Sequence, residues 1–517
     1  MGKALMVQGT ASSVGKSFLA TGFCRLFAQE GFKVAPFKAQ NMSLNAAVTA
    51  EGGEIGRAQA VQAEAASIEP TVDMNPILLK PEADAHFQVI VRGRLYATMS
   101  FQEYRRETAR LLPVIRESLE RLLASYDLVI IEGAGSPAEV NLKEDDIVNM
   151  GIARMAKAPV LLIGDIDRGG VFASLVGTME LLSPEERCFV KGFIINKFRG
   201  DPTLLQPGLV FLEERTGVPV LGVLPYLRDL RLPAEDSVSL ESAPTCSDPS
   251  ALLDIAVIHL PRISNFDDFE PLIQEPGVSV RYVHRLEQLA SPDLIILPGT
   301  KSTASDLLFL EKSGLAQEVR TKAGQGVPII GICGGYQLLG ERVLDPHRVE
   351  SEVPEIKGLS LLPVDTIFKP AKATHRVKAV VVGGSWLLKG AEGVEVKGYE
   401  IHMGETIASH TPKGKGGGPF LVVERSGSSR GGLQALPDYD GAAHEKGHIF
   451  GTYLHGLFHN RELRVSILRA LAGRKGLKAL PRWGELPSRE EEYDRLAALL
   501  RTYLNVERLF AICGLGP

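Results

Sequence analysis

Two stretches of the chain carry the residue types that group-transfer chemistry needs. The first is Gly9-Thr10-Ala11-Ser12-Ser13-Val14-Gly15-Lys16-Ser17, which follows a short apolar run and precedes Phe18, Leu19, Phe23, Leu26 and Phe27 at helical spacing. Strand, glycine loop and helix start together bring loop amides and a helix dipole onto one anion. Gly9, Thr10, Ser13, Gly15 and Lys16 are therefore candidates for cradling a nucleoside triphosphate, with Lys16 reaching its β and γ phosphates. The Ser17 hydroxyl would serve Mg²⁺. The second stretch is Pro328-Ile329-Ile330-Gly331-Ile332-Cys333-Gly334-Gly335. A cysteine in such a strand-to-helix elbow is expected to be exposed at a helix amino end, where the dipole favours the thiolate. That arrangement suits nucleophilic attack.

Other residues complete each constellation. Glu132 ends the apolar run Asp127-Leu-Val-Ile-Ile, at the strand edge where open α/β sheets hold ligands, and is a second candidate for Mg²⁺. Asp165-Ile166-Asp167-Arg168-Gly169-Gly170 and Asn196-Lys197-Phe198-Arg199-Gly200 end the next two runs, so Asn196 joins the candidate nucleotide contacts. For the cysteine, a base is required; His455 in Gly451-Thr-Tyr-Leu-His455 stands just after a late strand, in the chain order of elbow enzymes. The backbone N–H groups of Gly299, after Leu297-Pro298, and of Gly334 are candidates for an oxyanion hole.

The elements that must position these groups are α/β. Runs at Ala4 to Val7, Lys33 to Phe37, Asp127 to Ile131, Pro159 to Ile163, Gly192 to Ile195 and Pro219 to Val223 read as buried parallel strands. Leu111, Ile115, Leu119 and Leu122 form one apolar helical stripe between them. A second series runs from Asp254 to Leu260 through Val278 to Val283, Leu294 to Leu297, Pro328 to Ile332 and His448 to Thr452. At 517 residues the chain exceeds the roughly 250 to 300 that one core organises. The reading is two open, mostly parallel-sheet α/β domains, the first a nucleoside-triphosphatase type with a phosphate-binding loop. Residues 1–235 form that domain and 236–251 a polar linker. Residues 252–517 form the second domain, with amphipathic helices at its end. Strand order between Lys369 and Asp440 is left open, as is the role of Glu400-Ile-His-Met-Gly404.

Composition narrows the options. A net charge of −5, from 57 basic and 62 acidic residues, gives no footprint for nucleic acid or an anionic membrane. No run approaches the roughly 18 apolar residues of a membrane span. Five widely spaced cysteines without a CxxC pair argue against a disulfide framework, and a reducing cytoplasm is expected.

Beyond these motifs the chain resembles the cobyric acid synthase family, in which a dethiobiotin synthetase-like nucleotide domain precedes a class I glutamine amidotransferase domain. The long loop, with five residues between Gly9 and Gly15, fits that branch. The resemblance is carried by Gln40-Asn-Met-Ser-Leu-Asn45, Glu54-Ile-Gly-Arg-Ala-Gln59, Met74-Asn-Pro-Ile-Leu-Leu-Lys-Pro81, Glu132-Gly-Ala-Gly-Ser-Pro-Ala-Glu139, the two strand-end motifs above and Tyr399-Glu-Ile-His-Met-Gly404. It implies ATP- and glutamine-dependent amidation of the b, d, e and g carboxylates of adenosylcobyrinic acid a,c-diamide, a corrinoid. Cys333 and His455 would release ammonia from glutamine, and Lys16, Mg²⁺ and Lys38 would neutralise charge at an acyl phosphate. Arg57, Arg168 and Arg199 are candidates for holding substrate carboxylates, because the guanidinium matches their geometry. Leu457 stands where many class I amidotransferases carry a glutamate two residues after the histidine, so a Cys-His dyad is expected. Asn41 and Asn45 replace acidic residues of the related cobyrinic acid a,c-diamide synthases, and no metal role is assigned to them. That synthase type is the nearest alternative. A partitioning-type switch ATPase is a distant one, since Ala11 replaces its extra loop lysine. Oligomeric state is left open.

Overall fold

The computed structural model describes residues 2–82, 86–227, 230, 232–233, 240, 243–409, 418–426 and 437–516. Both predicted parallel sheets are present. The first has the order Val220–Pro225, Val190–Phe198, Val160–Asp165, Lys3–Gly9, Leu128–Glu132, Val34–Phe37, with every neighbour parallel. Such strands are covered on both faces, which is why they read as continuous Val, Ile and Leu runs. The helix Phe101–Ser125 lays the stripe Leu111, Ile115, Leu119 and Leu122 on one face and starts at a capping box between Ser100 and Glu103. Helix α1, Lys16–Gln29, buries Leu19, Phe23, Leu26 and Phe27 on the other.

The second sheet runs Val278–Val283, Leu253–Ile258, Leu294–Leu297, Ile329–Ile332, Ile449–Thr452, again parallel, with Ala442–Ala443 antiparallel at its edge. The region whose strand order was left open forms a long antiparallel pair, Val364–Val381 with Glu395–Ala408, extended by Phe420–Arg425 and Tyr439–Asp440. A further small sheet, Gln40–Met42, Ile77–Pro81, His86–Val91, Arg94–Ser100, belongs to the first half and was not foreseen. It meets the long pair where Leu78 and Ile90 pack with Ile401 and Tyr399. Of the segment read as a linker, residues 236–239 and 241–242 lie outside the described residues, and Asp248 to Ser250 make a turn.

The final helices depart from the expectation that they complete the second domain. Arg489–Tyr503 and Val506–Cys513 return to the first sheet, where Leu496, Leu500, Leu509 and Phe510 join the cluster of Phe23 and Phe27. The cause is apolar demand. Helix α1 leaves an outer stripe that the sheet does not cover, and burying each large side chain there contributes on the order of 2 kcal/mol. The close approach needs Gly22, since a Cβ there would lie 2.5 Å from Leu500 Cδ1.

Candidate active sites

The glycine loop closes as its sequence requires. Gly15 has φ of 106°, a left-handed conformation that glycine adopts without strain, and caps α1. A side chain there would strike Asn196, whose amide donates to Val14 O at 2.8 Å. Asn196 thus holds the loop from beneath. Ser13 is also left-handed, at φ 58°, and its carbonyl accepts from Lys197 Nζ at 2.7 Å. The Gly9-Thr10 junction is anchored to the sheet, with Thr10 N–H donated to Ile163 O. Lys16 Nζ donates to Ala11 O and Gly135 O at 2.9 and 3.0 Å, across the mouth of the loop.

Glu132 is the hub beside it. Its carboxylate accepts from Ser17 Oγ and Lys38 Nζ, both at 2.8 Å, and from Gln62 Nε2 at 2.6 Å. Ser17, Lys16, Lys38, Glu132, Asp165, Asp167, Arg168 and Lys197 share a cavity of about 840 Å³. Ser17 and Glu132 fit a magnesium ion by the chemistry of the donor set, two hard oxygens already 2.8 Å apart at the loop. Gln62 was missed by sequence reading, since a glutamine in the alanine-rich helix α2 (Arg57–Ala65) gives no chemical signal of its own.

The three arginines separate. Arg168 lies at the cavity rim, mostly exposed, 3.9 Å from Asp165. Arg199 pairs with Asp167 at 2.7 Å and stacks over Tyr226, 3.6 Å from the ring centroid. Arg57 leaves this region altogether and lines a separate cavity of about 690 Å³. It is buried and its Nε stands 3.0 Å from Asp267 Oδ2 in the other half of the chain, because a buried guanidinium requires a buried countercharge.

The cysteine elbow has the predicted shape but not the predicted exposure. Cys333 has φ 53° and ψ −109° between strand Ile329–Ile332 and helix Gly334–Leu339. This uncommon backbone is held by a bond from Cys333 N–H to Thr452 O at 2.8 Å. Gly335 permits it, since a Cβ there would sit 2.0 Å from Leu297 O. Cys333 is only 5% exposed and lines a small cavity of about 40 Å³. Lining groups come from both halves of the chain: Ser264, Thr300, Glu350 and His402 from the second, Lys80 and Gln88 from the first. Gly299 adjoins the site, and a Cβ on it would lie 2.7 Å from His455 Cε1, while one on Gly334 would lie 3.0 Å from Thr300 N. The two predicted oxyanion loops are therefore side by side.

His455 is fully buried, and its charge is coupled to that of the thiol. Its Nδ1 meets Asp268 Oδ2 at 2.7 Å, and Asp268 Oδ1 accepts Gly456 N–H at 2.7 Å. This corrects the expected dyad: the orienting carboxylate comes from the first loop of the second sheet rather than from a position near the histidine. The signal was present in Asn265-Phe-Asp-Asp-Phe269, where two acids interrupt an apolar segment. Burial opposes protonation of His455, but the Asp268 carboxylate and Cys333 raise it to about 10. Asn265 Nδ2, 3.2 Å from Nε2, donates only to the neutral ring. One amide dipole against the Asp268 carboxylate loses, and the protonated form is favoured. Asn265 Oδ1 accepts Ala46 N–H from the first half at 2.9 Å. Tyr399 stacks on the imidazole, 5.2 Å between centroids, and Ile401 O accepts from Cys333 Sγ at 3.4 Å. The motif of open role, 399–404, is thereby a wall of this site.

Comparison with known proteins agrees with both halves. Residues 5–240 match the CobQ/CobB/MinD/ParA nucleotide binding domain, and residues 254–463 match the CobB/CobQ-like glutamine amidotransferase domain. Cobyric acid synthase of Dehalococcoides mccartyi (strain CBDB1) is 51% identical over 517 residues, covering all of both chains. That of Pelotomaculum thermopropionicum is 53% identical over 530 residues, covering all of this chain and 98% of its own. Among solved structures, PurLQS from Thermotoga maritima aligns with 42% of this chain and 99% of its own at 19% identity and a TM-score of 0.31. No helix among the described residues is long and apolar enough to cross a membrane. The chain belongs to the cobyric acid synthase family, and it is a glutamine-hydrolysing, ATP-dependent amide ligase.

Proposed function

We propose that the chain amidates the b, d, e and g carboxylates of adenosylcobyrinic acid a,c-diamide, giving adenosylcobyric acid. The observation that carries the substrate is identity of about half to cobyric acid synthases along the entire length. The two cavities support the division of the chemistry.

A carboxylate resists attack by ammonia until its oxygen becomes a leaving group. In the first cavity a substrate carboxylate oxygen attacks the γ phosphorus of ATP and ADP departs, leaving an acyl phosphate. Lys16 and Lys38, which line this cavity, offset the charge on the phosphates. Ser17 and Glu132 would hold a magnesium ion, which when bound supplies further neutralisation there.

In the second cavity the Cys333 thiolate attacks the glutamine side-chain carbonyl carbon. His455 passes its proton to the departing nitrogen, and ammonia leaves a glutamyl thioester. Gly299 and Gly334 donate their backbone N–H groups to the tetrahedral oxyanion. Water then attacks the thioester, His455 takes its proton, and glutamate leaves. Asp268 holds the imidazole through both halves, a role worth orders of magnitude in analogous triads. Ammonia attacks the acyl phosphate carbon, and phosphate and a proton depart. The mechanism leaves no role for a nucleic acid or a membrane. Mass spectrometry of the product from the a,c-diamide, ATP and glutamine tests the whole reading. Four successive losses of about one mass unit, each OH exchanged for NH₂, are expected. Conversion of unamidated cobyrinic acid but not of the a,c-diamide would overturn it in favour of the a,c-diamide synthase type.

A further inference from the structure

Asp267 and Asp268 are neighbours in sequence, each 1% exposed. Two adjacent carboxylates in a low-dielectric interior stay ionised together only if matching charge is buried with them. Asp268 has His455. Neither oxygen of Asp267 receives a hydrogen bond, and its ion partner is the Arg57 guanidinium, Nε 3.0 Å from Oδ2. Burial pushes the Asp267 carboxyl up, and Arg57 opposes that push more than any other group does. Arg489 adds to it from farther off, itself paired with Glu64 at 3.2 Å. Arg57 makes a second contact with the same site, donating from Nη2 to Tyr399 OH at 2.5 Å, and Tyr399 is the ring stacked on His455. The guanidinium belongs to the nucleotide-binding half: Arg57 is the first residue of α2, and its backbone N–H donates to Asn45 O at 3.1 Å. Five residues along the same helix, Gln62 holds Glu132 in the nucleotide cavity.

We propose that Arg57 is a positioning residue for glutamine hydrolysis: it balances Asp267, so that Asp268 remains a carboxylate and holds His455 toward Cys333. The inference rests on the reading of Cys333 and His455 as the nitrogen-releasing pair. It gives the cysteine site a buried charge supplied by the nucleotide-binding half.

The test uses the full chain and compares amidation supported by glutamine with amidation supported by ammonium. Arg57→Met is expected to lower kcat with glutamine by about 100-fold and to leave the ammonium-supported rate within about twofold. Adding Asp267→Asn removes the carboxylate that Arg57 balances, and should restore the glutamine rate at least about tenfold. Full glutamine use by Arg57→Met overturns the proposal. So does a double variant that amidates with ammonium yet stays as slow with glutamine as the single one. If Arg57→Met does not fold, the double variant decides: folded protein that uses glutamine supports the proposal, and anything else overturns it. Cys333→Ala, assayed alongside, separates the two layers. Glutamine use by Cys333→Ala would sink the underlying reading, whereas its loss there with retention in Arg57→Met sinks only the role of Arg57.

Discussion

Among the described residues, the charged groups lining the nucleotide cavity come from the first half of the chain, near strand tips or a helix start, and face a space of about 840 Å³. At the cysteine cavity the space is about 40 Å³, the histidine and both aspartates are buried, and walls come from both halves. The difference follows from what each must hold. A triphosphate brings its own charge and needs open amides and cations. A thiolate and an imidazolium need exclusion of water, and buried charge is tolerated only when the count is balanced. The first centre is thus local and the second depends on its neighbour.

That contrast can be broken most severely at Lys16. Lys16→Ala should cut amidation by more than about 1,000-fold with either nitrogen source, because phosphate charge goes unbalanced; near-normal ATP turnover would show that the loop does not bind the nucleotide. Cys333→Ala should abolish glutamine-supported amidation while ammonium still serves, which steady-state assays with the two nitrogen sources resolve. Retained glutamine hydrolysis would remove the thiol from its role. Asp268→Asn should be milder, lowering glutamine turnover by about 100- to 1,000-fold with ammonium use intact; equal loss with both sources would place its effect on folding instead.

The smallest effect is in stability. His455 is raised from 6.5 to about 10 in the folded chain. A raised basic group stabilises fully below its unfolded value and loses that contribution as pH climbs through the folded one. The gap in Tm between the unaltered chain and Asp268→Asn should be widest at or below pH 6.5 and narrow towards pH 10. A gap that widens with rising pH would exclude the His455–Asp268 ion pair as its source.

Local pattern revealed what local pattern controls. The parallel strands, the α1 start and the elbow at Cys333 each follow from contiguous residues whose periodicity or turn chemistry admits few alternatives. Partner choice was hidden where it depends on topology. Asp268 lies 187 positions before His455, and Arg57 lies 210 before Asp267; no spacing rule joins such pairs. Arg57 illustrates the hazard, since a guanidinium fits a substrate carboxylate and a buried aspartate equally well. Glu132 shows the opposite: a strand-end acid beside a phosphate loop has few other places to point. The return of the last helices was illegible for a similar reason, as an amphipathic stripe states how much it must bury but not against which surface.

That return has a consequence for biogenesis. Leu19, Phe23 and Phe27 leave the ribosome well before the residues that cover α1, Leu496, Leu500 and Phe510, which are made more than 450 positions later. The first sheet must therefore wait through the synthesis of those intervening residues with one helix face bare, a standing invitation to chaperones. A chain ending prematurely after the amidotransferase strands would leave the ribosome with its oldest part unfinished.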